Sequence, residues 1–273
     1  MAQEVHAYLD ESGIHQGAVA CVIAGYYGGQ RAMADLKDRW LNTLKRFNFP
    51  LERFHAKELI KRRENDQLLQ ELSRAIAATP KALPVSQAII VNDFNSLSFE
   101  ERRFLTGATL KNGVLVSSGA PSKPYFVPFQ LVLKIVTDHT PIGGRAQFNF
   151  GIDRNFSDYA RSLFLQIESQ ITMPHYSGSW KSRDRLGNSI FPKAAETPQL
   201  QAADLLAHLE YKYLINQWIP NVDRGKVPSL LRLCRTNSRI PFSYQDRECL
   251  DGMLRQARSI DAQWKACGHN AGV

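Results

Sequence analysis

The sequence lacks the features that mark several large classes of protein. Its four cysteines form no CxxC pair and no Cys/His spacing of a zinc site, so they indicate neither a disulfide framework nor a structural zinc. No stretch approaches the roughly 20 uninterrupted apolar residues of a membrane span, and the N-terminus resembles no secretion signal. A serine hydrolase is disfavoured because no GxSxG motif is present and Ser12 has no obvious base. We expect a cytoplasmic protein with reduced thiols and no membrane partner.

Acidic residues are fewer than basic residues. The chain has 26 Asp and Glu against 34 Lys and Arg, which gives a formal net charge of +8. This excess is compatible with a polyanionic partner but does not require one. We expect nucleic acid as the partner, although a basic surface that faces only solvent explains the excess as well. The candidates for contact with a phosphate backbone are Lys37, Lys45, Arg62, Arg63, Arg224 and Arg232.

The distribution of apolar residues predicts an α/β fold. With 273 residues, 44% of them hydrophobic, the chain is long enough to bury a substantial core. We expect a single domain over residues 1–273, with a helical insertion at about 92–145 and a helical extension at about 218–273. The predicted strands cover residues 5–13, 18–27, 85–91 and 146–153, and the predicted helices cover residues 31–49, 66–78, 125–136, 157–171, 198–214 and 244–265.

The first predicted strand runs directly into two acids. Asp10 falls at its last pleat, and Glu11 points to the opposite face just before the turn at Gly13. In an open α/β sheet, ligands bind in the crevice at the carboxyl ends of strands, so an acid at that position is a candidate metal ligand. Asp, Ser and Gly also form turns, and an ordinary hairpin is the favoured explanation of this segment taken alone.

Two further acids lie in comparable places. Asp153 lies at the end of the predicted strand 146–153 and precedes a predicted helix, where a helix-capping aspartate is the alternative interpretation. Glu58 follows His55 by three residues, so the two share one face of a helical turn. A solvated charged surface is the commoner explanation of such a segment. We nevertheless regard Glu58 as a candidate bridging carboxylate, provided that it lies beside Asp10.

A predicted helix over residues 198–214 carries the last candidates. Pro198 suits the first position of a helix, and Gln201, Asp204 and His208 follow at steps of three and four along one stripe. The small Ala202 beside Asp204 allows the helix to approach a sheet closely. His208, one turn later, is placed to position a phosphate or a water molecule. The alternative is an ordinary Asp/His surface pair of little energetic value.

Four blocks of the sequence resemble, in order, the bacterial and phage family DUF3800. The blocks are residues 8–13 (YLDESG), 54–59 (FHAKEL), 151–154 (GIDR) and 199–207 (QLQAADLLA). The first and last blocks are the most specific, and the likeness extends over most of the chain. It implies a ribonuclease H-like mixed sheet flanked by helices, with an acidic site.

The resemblance also implies which residues act together. Asp10, Glu58, Asp153 and Asp204 would converge as catalytic acids, with Glu11 as a further metal ligand and His208 assisting product departure or orienting water. Such a site would hold two Mg²⁺ or Mn²⁺ ions roughly 4 Å apart, one generating hydroxide and the other stabilising the leaving oxygen.

Three hypotheses follow for the function. The first is a metal-dependent nuclease or phosphodiesterase that hydrolyses nucleic acid by a two-metal mechanism. The second is a non-catalytic module of a mobile-element or defence system that binds nucleic acid or protein. The third is a hydrolase of a small phosphorylated molecule, for which a deep closed pocket over the acids would be expected.

Overall fold

The computed structural model describes residues 4–106, 109–111, 114–116, 123–151, 161, 164, 180, 182–216, 226–238 and 242–266. Its strands are β1 (Glu4–Ser12), β2 (Ala20–Gly29), β3 (Leu83–Ile90), β4 (Thr109–Lys111), β5 (Val114–Val116), β6 (Arg145–Phe150), β7 (Leu186–Ile190) and β8 (Ser243–Gln245). Its helices are α1 (Gln30–Arg46), α2 (Ala56–Ile60), α3 (Asp66–Ala77), α4 (Val91–Asn95), α5 (Phe99–Thr106), α6 (Phe126–His139), α7 (Pro198–Ile215), α8 (Lys226–Cys234) and α9 (Arg247–Ala266).

Six strands form one mixed sheet in the order β7-β6-β1-β2-β3-β8. Strands β1, β2 and β3 are antiparallel neighbours, whereas β6 is parallel to β1 and β7 is parallel to β6. The carboxyl ends of β1, β6 and β7 therefore lie at the same edge of the sheet. The remaining two strands, β4 and β5, pair with each other in a separate antiparallel ribbon.

Helices cover both faces of this sheet, because the side chains of its strands alternate between two apolar cores. Val5, Ala7 and Leu9 of β1 belong to the core that α6 and α9 cover. Tyr8 packs against the opposite core, which contains side chains of α1, α3, α7 and α8. Asp10 continues the Tyr8 side of β1, so its side chain leaves the strand on the face that α7 covers. This arrangement confirms the predicted α/β class.

The central helix is α7, which packs on β1 and β2. Ala202, Ala203 and Ala207 are completely buried, and their small side chains permit close contact with the sheet. Pro198 begins the helix as predicted. Gln201 fixes its first turn because its side chain accepts a hydrogen bond from Trp40 Nε1 at 3.0 Å and donates to the Leu51 carbonyl at 2.8 Å.

Most of the predicted elements within the described residues are confirmed. The exceptions are short or depend on distant partners. The C-terminal helix begins at Arg247 rather than residue 244, because Ser243–Gln245 pairs in parallel with β3. Val114–Val116 is a strand within a stretch whose Gly, Ser and Pro content suggests a loop. The predicted helix 157–171 lies almost entirely outside the described residues.

The stretch that we expect to be an insertion also contributes to the main core. Phe126, Phe129 and Leu133 of α6 are buried against the sheet. At the start of α5, the Ser98 hydroxyl accepts the Glu101 amide at 3.2 Å and the Glu101 carboxylate accepts the Ser98 amide at 3.0 Å, which is a capping box. Within the described ranges, no helix combines the length and the apolar character that a membrane crossing requires.

Candidate functional site

Asp10 lies at the carboxyl end of β1 with two other acids close to it. Its pKa is raised well above the usual value, first by burial and then by the charges of Glu11 and Asp204. The Glu11 amide donates a hydrogen bond to Asp10 Oδ1 at 3.0 Å, which offsets only part of that rise. A carboxyl group in this environment is stabilised by a proton or by a cation.

Glu11 acts on groups that belong to both faces of the sheet. Its side chain shares a hydrogen bond with that of Asp10, and both groups cannot be ionised without repulsion. On the α6 side, the charge of Glu11 adds to the effect of burial in raising the pKa of Cys21 and, with the charge of Cys21, that of Tyr125. Glu11 therefore adjoins the site from the opposite core.

Asp204 approaches from α7 and ties a second element to the site. Its Oδ2 atom accepts the Ala56 amide of α2 at 2.9 Å and lies 3.3 Å from His55 Nδ1. Among the described residues, Oδ1 of Asp204 makes no hydrogen bond, and the side chain is 17% exposed. One oxygen thus anchors α2, while the other can accept a ligand.

The short segment around α2 holds His55 and Glu58 on the surface. The hydrogen bond to Asp204 raises the pKa of the exposed His55. Glu58 forms an ion pair with Lys61 at 3.0 Å, and this contact lowers the pKa of Glu58. The negative charges acting on Asp10 come from Glu11 and Asp204, whereas Glu58 is occupied with Lys61. Sequence spacing gave no signal for the His55–Asp204 contact, which depends on the packing of α2 against α7.

His208 is buried one turn beyond Asp204. It is 6% exposed, and its Nε2 atom has no hydrogen-bond partner among the described residues. Burial lowers the pKa of His208 to about 4, although the charge of Asp204 opposes the change. The imidazole is therefore neutral at pH 7. A buried polar atom without a partner is costly and points to a missing ligand or water molecule.

Asp153 lies outside the described residues. Gly151, two positions earlier, lies close to Asp10: a Cβ atom built on Gly151 would stand 3.8 Å from Asp10 Oδ1. The end of β6 therefore brings the backbone to the acids of β1 and α7. In the part of the chain that is described, no group of three or more His, Cys, Asp or Glu side chains has an arrangement able to hold a metal ion.

Some basic side chains in the stretch 221–239 form contacts within the fold. Lys226 pairs with Asp66 and donates to the Ile60 carbonyl at 3.1 Å, and Arg235 pairs with Glu210. Arg232 is exposed, while Arg224 lies outside the described residues. Sequence reasoning missed the role of Glu210; the signal for it is an isolated acid among the apolar residues of α7.

The chain was compared with known proteins at three levels. No family model, no curated protein and no solved structure matches it. The resemblance to DUF3800 consequently rests on the four short blocks of sequence, two of which contain the neighbouring Asp10 and Asp204.

Proposed function

We propose that the protein is a divalent-metal-dependent phosphodiesterase that hydrolyses nucleic acid, built on a ribonuclease H-like fold. The observation that carries this proposal is the convergence of Asp10 from β1 and Asp204 from α7, where the charge of Asp204 adds to burial and to the charge of Glu11 in raising the pKa of Asp10. Acids gathered in this way are costly unless a cation neutralises them. Binding of a cation is therefore the best explanation for the position of these two acids.

The chemistry of these groups fits Mg²⁺ or Mn²⁺. Both ions prefer hard carboxylate oxygens and retain several waters, so a site with few protein ligands suits them. Asp10 and Oδ1 of Asp204 would hold the ion, Glu11 would adjoin it, and we propose Asp153 as a further ligand. Glu58 joins this set only by giving up its ion pair with Lys61. When bound, the metal supplies Lewis acidity and a hydroxide nucleophile at neutral pH.

The protein groups around the acids would position the reacting atoms. The Ala56 amide and His55 fix one oxygen of Asp204, so the direction of the other is set. His208 is neutral at pH 7, and its unpartnered Nε2 can orient a water molecule or hold the departing product.

The sheet supports the ribonuclease H-like part of the proposal. Strands β1, β2 and β3 form the antiparallel trio that such a core is expected to contain, with Asp10 at the end of the first strand. The three helices α1, α2 and α3 stand between the second and third strands, where a simple meander would have a turn. This departure places α2 beside Asp204.

Nucleic acid is the proposed substrate because of charge. The net charge of +8 favours a polyanion, and Lys57, Arg62 and Arg63 are exposed on and just after α2. Exposed basic residues beside the acids suit a long polyanion better than a small substrate.

Metal binding and cleavage should be measured together to test the proposal. Calorimetric titration with Mn²⁺ and Mg²⁺ should show binding to the wild type and loss of binding in Asp10→Asn and Asp204→Asn. Asp35→Asn is the matched control, because Asp35 is an exposed acid paired with Arg39 on α1. The same proteins should be incubated with single-stranded DNA, RNA, duplex and hybrid.

The outcomes separate the three hypotheses. Metal-dependent cleavage that both site variants lose, and the control keeps, supports the nuclease. Binding of nucleic acid without metal binding or cleavage, in a folded protein, would replace it with a non-catalytic module. Metal-dependent hydrolysis confined to small phosphate esters would replace it with a small-molecule hydrolase.

A further inference from the structure

We propose that Lys57 and His208 together form the position that holds a phosphate group of the substrate beside Asp204. This inference deepens the proposed function and rests on it, because it names the group that lies next to the reacting phosphodiester. It assigns binding roles to a surface cation and to a buried imidazole.

The position of Lys57 follows from the anchoring of α2. The Ala56 amide is held by Asp204 at 2.9 Å, and Lys57 is the next residue along the chain. The exposed Lys57 side chain makes no ion pair with any described residue. Its positive charge lies within electrostatic range of both His55 and His208.

His208 supplies the second, independent observation. Its side chain is more than nine-tenths buried, and Nε2 has no partner in the part of the chain described. A neutral imidazole can donate one hydrogen bond, and phosphate oxygens are strong acceptors. Besides Lys57, the charge of Lys212 acts on the same ring from the next turn of α7. Both cations and the carboxylate of Asp204 therefore act on this imidazole.

The acidic and basic groups at this site favour ligands of opposite charge. The acids Asp10 and Asp204 attract a cation, whereas the Lys57 ammonium group and an Nε2–H group of His208 attract an anion. A phosphate that contacts both a metal ion and Lys57 satisfies each group at once. The same chemistry would recognise an internal phosphodiester or a terminal phosphate monoester.

The chain offers a close control for Lys57. Lys61 is also exposed, four residues away, but it is already paired with Glu58 at 3.0 Å. Lys57→Gln and Lys61→Gln remove the same charge from nearly the same place. A difference between them therefore reports a specific contact rather than a change in net charge.

Binding should be measured by fluorescence anisotropy with labelled single-stranded oligonucleotides, in the Asp10→Asn background so that no cleavage occurs. We expect Lys57→Gln to weaken binding by about two- to fivefold. We expect it to reduce the slope of log affinity against log salt by about 0.7. Lys61→Gln should leave both quantities near the values of the parent protein, and Lys57→Arg should restore them.

Equal effects of the two glutamine variants, or no effect of either, would overturn the proposal. Oligonucleotides with and without a terminal phosphate identify the source: a penalty confined to the phosphorylated one assigns the position to a monoester, and an equal penalty assigns it to the diester. The effect of Lys57→Gln on binding is independent of metal-dependent cleavage. If the wild type does not cleave but Lys57→Gln still weakens binding selectively, the hydrolase is wrong and the phosphate position stands.

Discussion

Helix α7 carries ionisable side chains in two different environments. Glu210 is 1% exposed and is held by Arg235, whose Nε donates to Oε1 at 2.6 Å and whose second nitrogen contacts Oε2. The Arg235 guanidinium also lies 4.7 Å from the ring centroid of Phe242 and 5.7 Å from that of Tyr213. Asp204, by contrast, lies near a second acid, Asp10, and Nε2 of His208 has no hydrogen-bond partner among the described residues.

Glu210 has its partner within the fold, whereas the groups at Asp10, Asp204 and His208 are candidates for binding a ligand. Burial raises the pKa of Glu210 to about 7, and Arg235 opposes the rise from a fixed bidentate position. No cation among the described residues offsets the burial of Asp10, since the charges of Glu11 and Asp204 that act on it are both negative. Uncompensated burial with a convergent second acid is the property that favours a functional role.

Removing the cation from the compensated pair should have the largest effect. Arg235→Met leaves Glu210 buried without its partner, so we expect a loss of about 3–5 kcal/mol in the free energy of unfolding. Urea denaturation measures this loss. Arg39→Met, which breaks the exposed pair with Asp35, is the control and should shift the midpoint little. A loss in Arg235→Met no larger than in the control would contradict the comparison.

The contributions of Glu210 and His208 to the free energy of unfolding should change with pH in opposite directions. The folded pKa of Glu210 is raised from 4.5 to about 7, so the folded protein binds the extra proton and the free energy of unfolding falls as pH rises through that window. The folded pKa of His208 is lowered from 6.5 to about 4, so here the unfolded chain binds the extra proton and stability rises with pH.

Urea denaturation of Glu210→Gln and His208→Gln between pH 4 and pH 7 tests these signs. Relative to the wild type, Glu210→Gln should make the dependence of stability on pH more positive, and His208→Gln should make it more negative. Each change should exceed about 1 kcal/mol across its window. Shifts of the same sign in both variants would show that one of the two environments is described wrongly.

Neutralising the uncompensated acid should stabilise the fold. Asp10→Asn keeps the oxygen that accepts the Glu11 amide and removes the repulsion from Glu11 and Asp204. We expect a gain of about 1 kcal/mol at pH 7, which should shrink as the pH falls and Asp10 takes up its proton. Thermal denaturation in the presence of a chelator measures it. A loss of stability at neutral pH would be the contrary result.

Glu58 should give the smallest effect. The exposed ion pair with Lys61 contributes little to folding, so Glu58→Gln should leave the thermal midpoint unchanged within error. Its Mn²⁺ affinity should fall much less than that of Asp204→Asn. A loss of metal binding equal to that of Asp204→Asn would show that Glu58 gives up its ion pair with Lys61 and binds the metal.

The sequence predicted the elements that position the site, because each has a strong local signal. The apolar run before Asp10 predicted β1, and helical spacing after Pro198 predicted α7. The proximity of Asp10 to Asp204 was expected only through the resemblance. Spacing within one element cannot show which elements meet, since that depends on the packing of α7 against β1 and β2.

The features that the sequence did not reveal are those defined by distant partners. Strand β7 runs parallel to β6, and the three residues of β8 are ordered by β3 and by a hydrogen bond from Ser243 to Gln87 at 2.8 Å. Arg235 belongs to the basic stretch 221–239, whose composition fits contact with a phosphate backbone and a solvated surface equally well. Only the folded chain shows that α8 directs it onto Glu210.

The anchoring of α2 makes one amide a reporter of the whole site. A helix of five residues has little stability of its own, and the hydrogen bond from the Ala56 amide to Asp204 joins it to α7. Whatever draws the carboxylate away, or holds it more firmly, changes how often that amide opens to solvent. The hydrogen-exchange rate at Ala56 can therefore follow occupancy of the acids directly, with no substrate present and no turnover required.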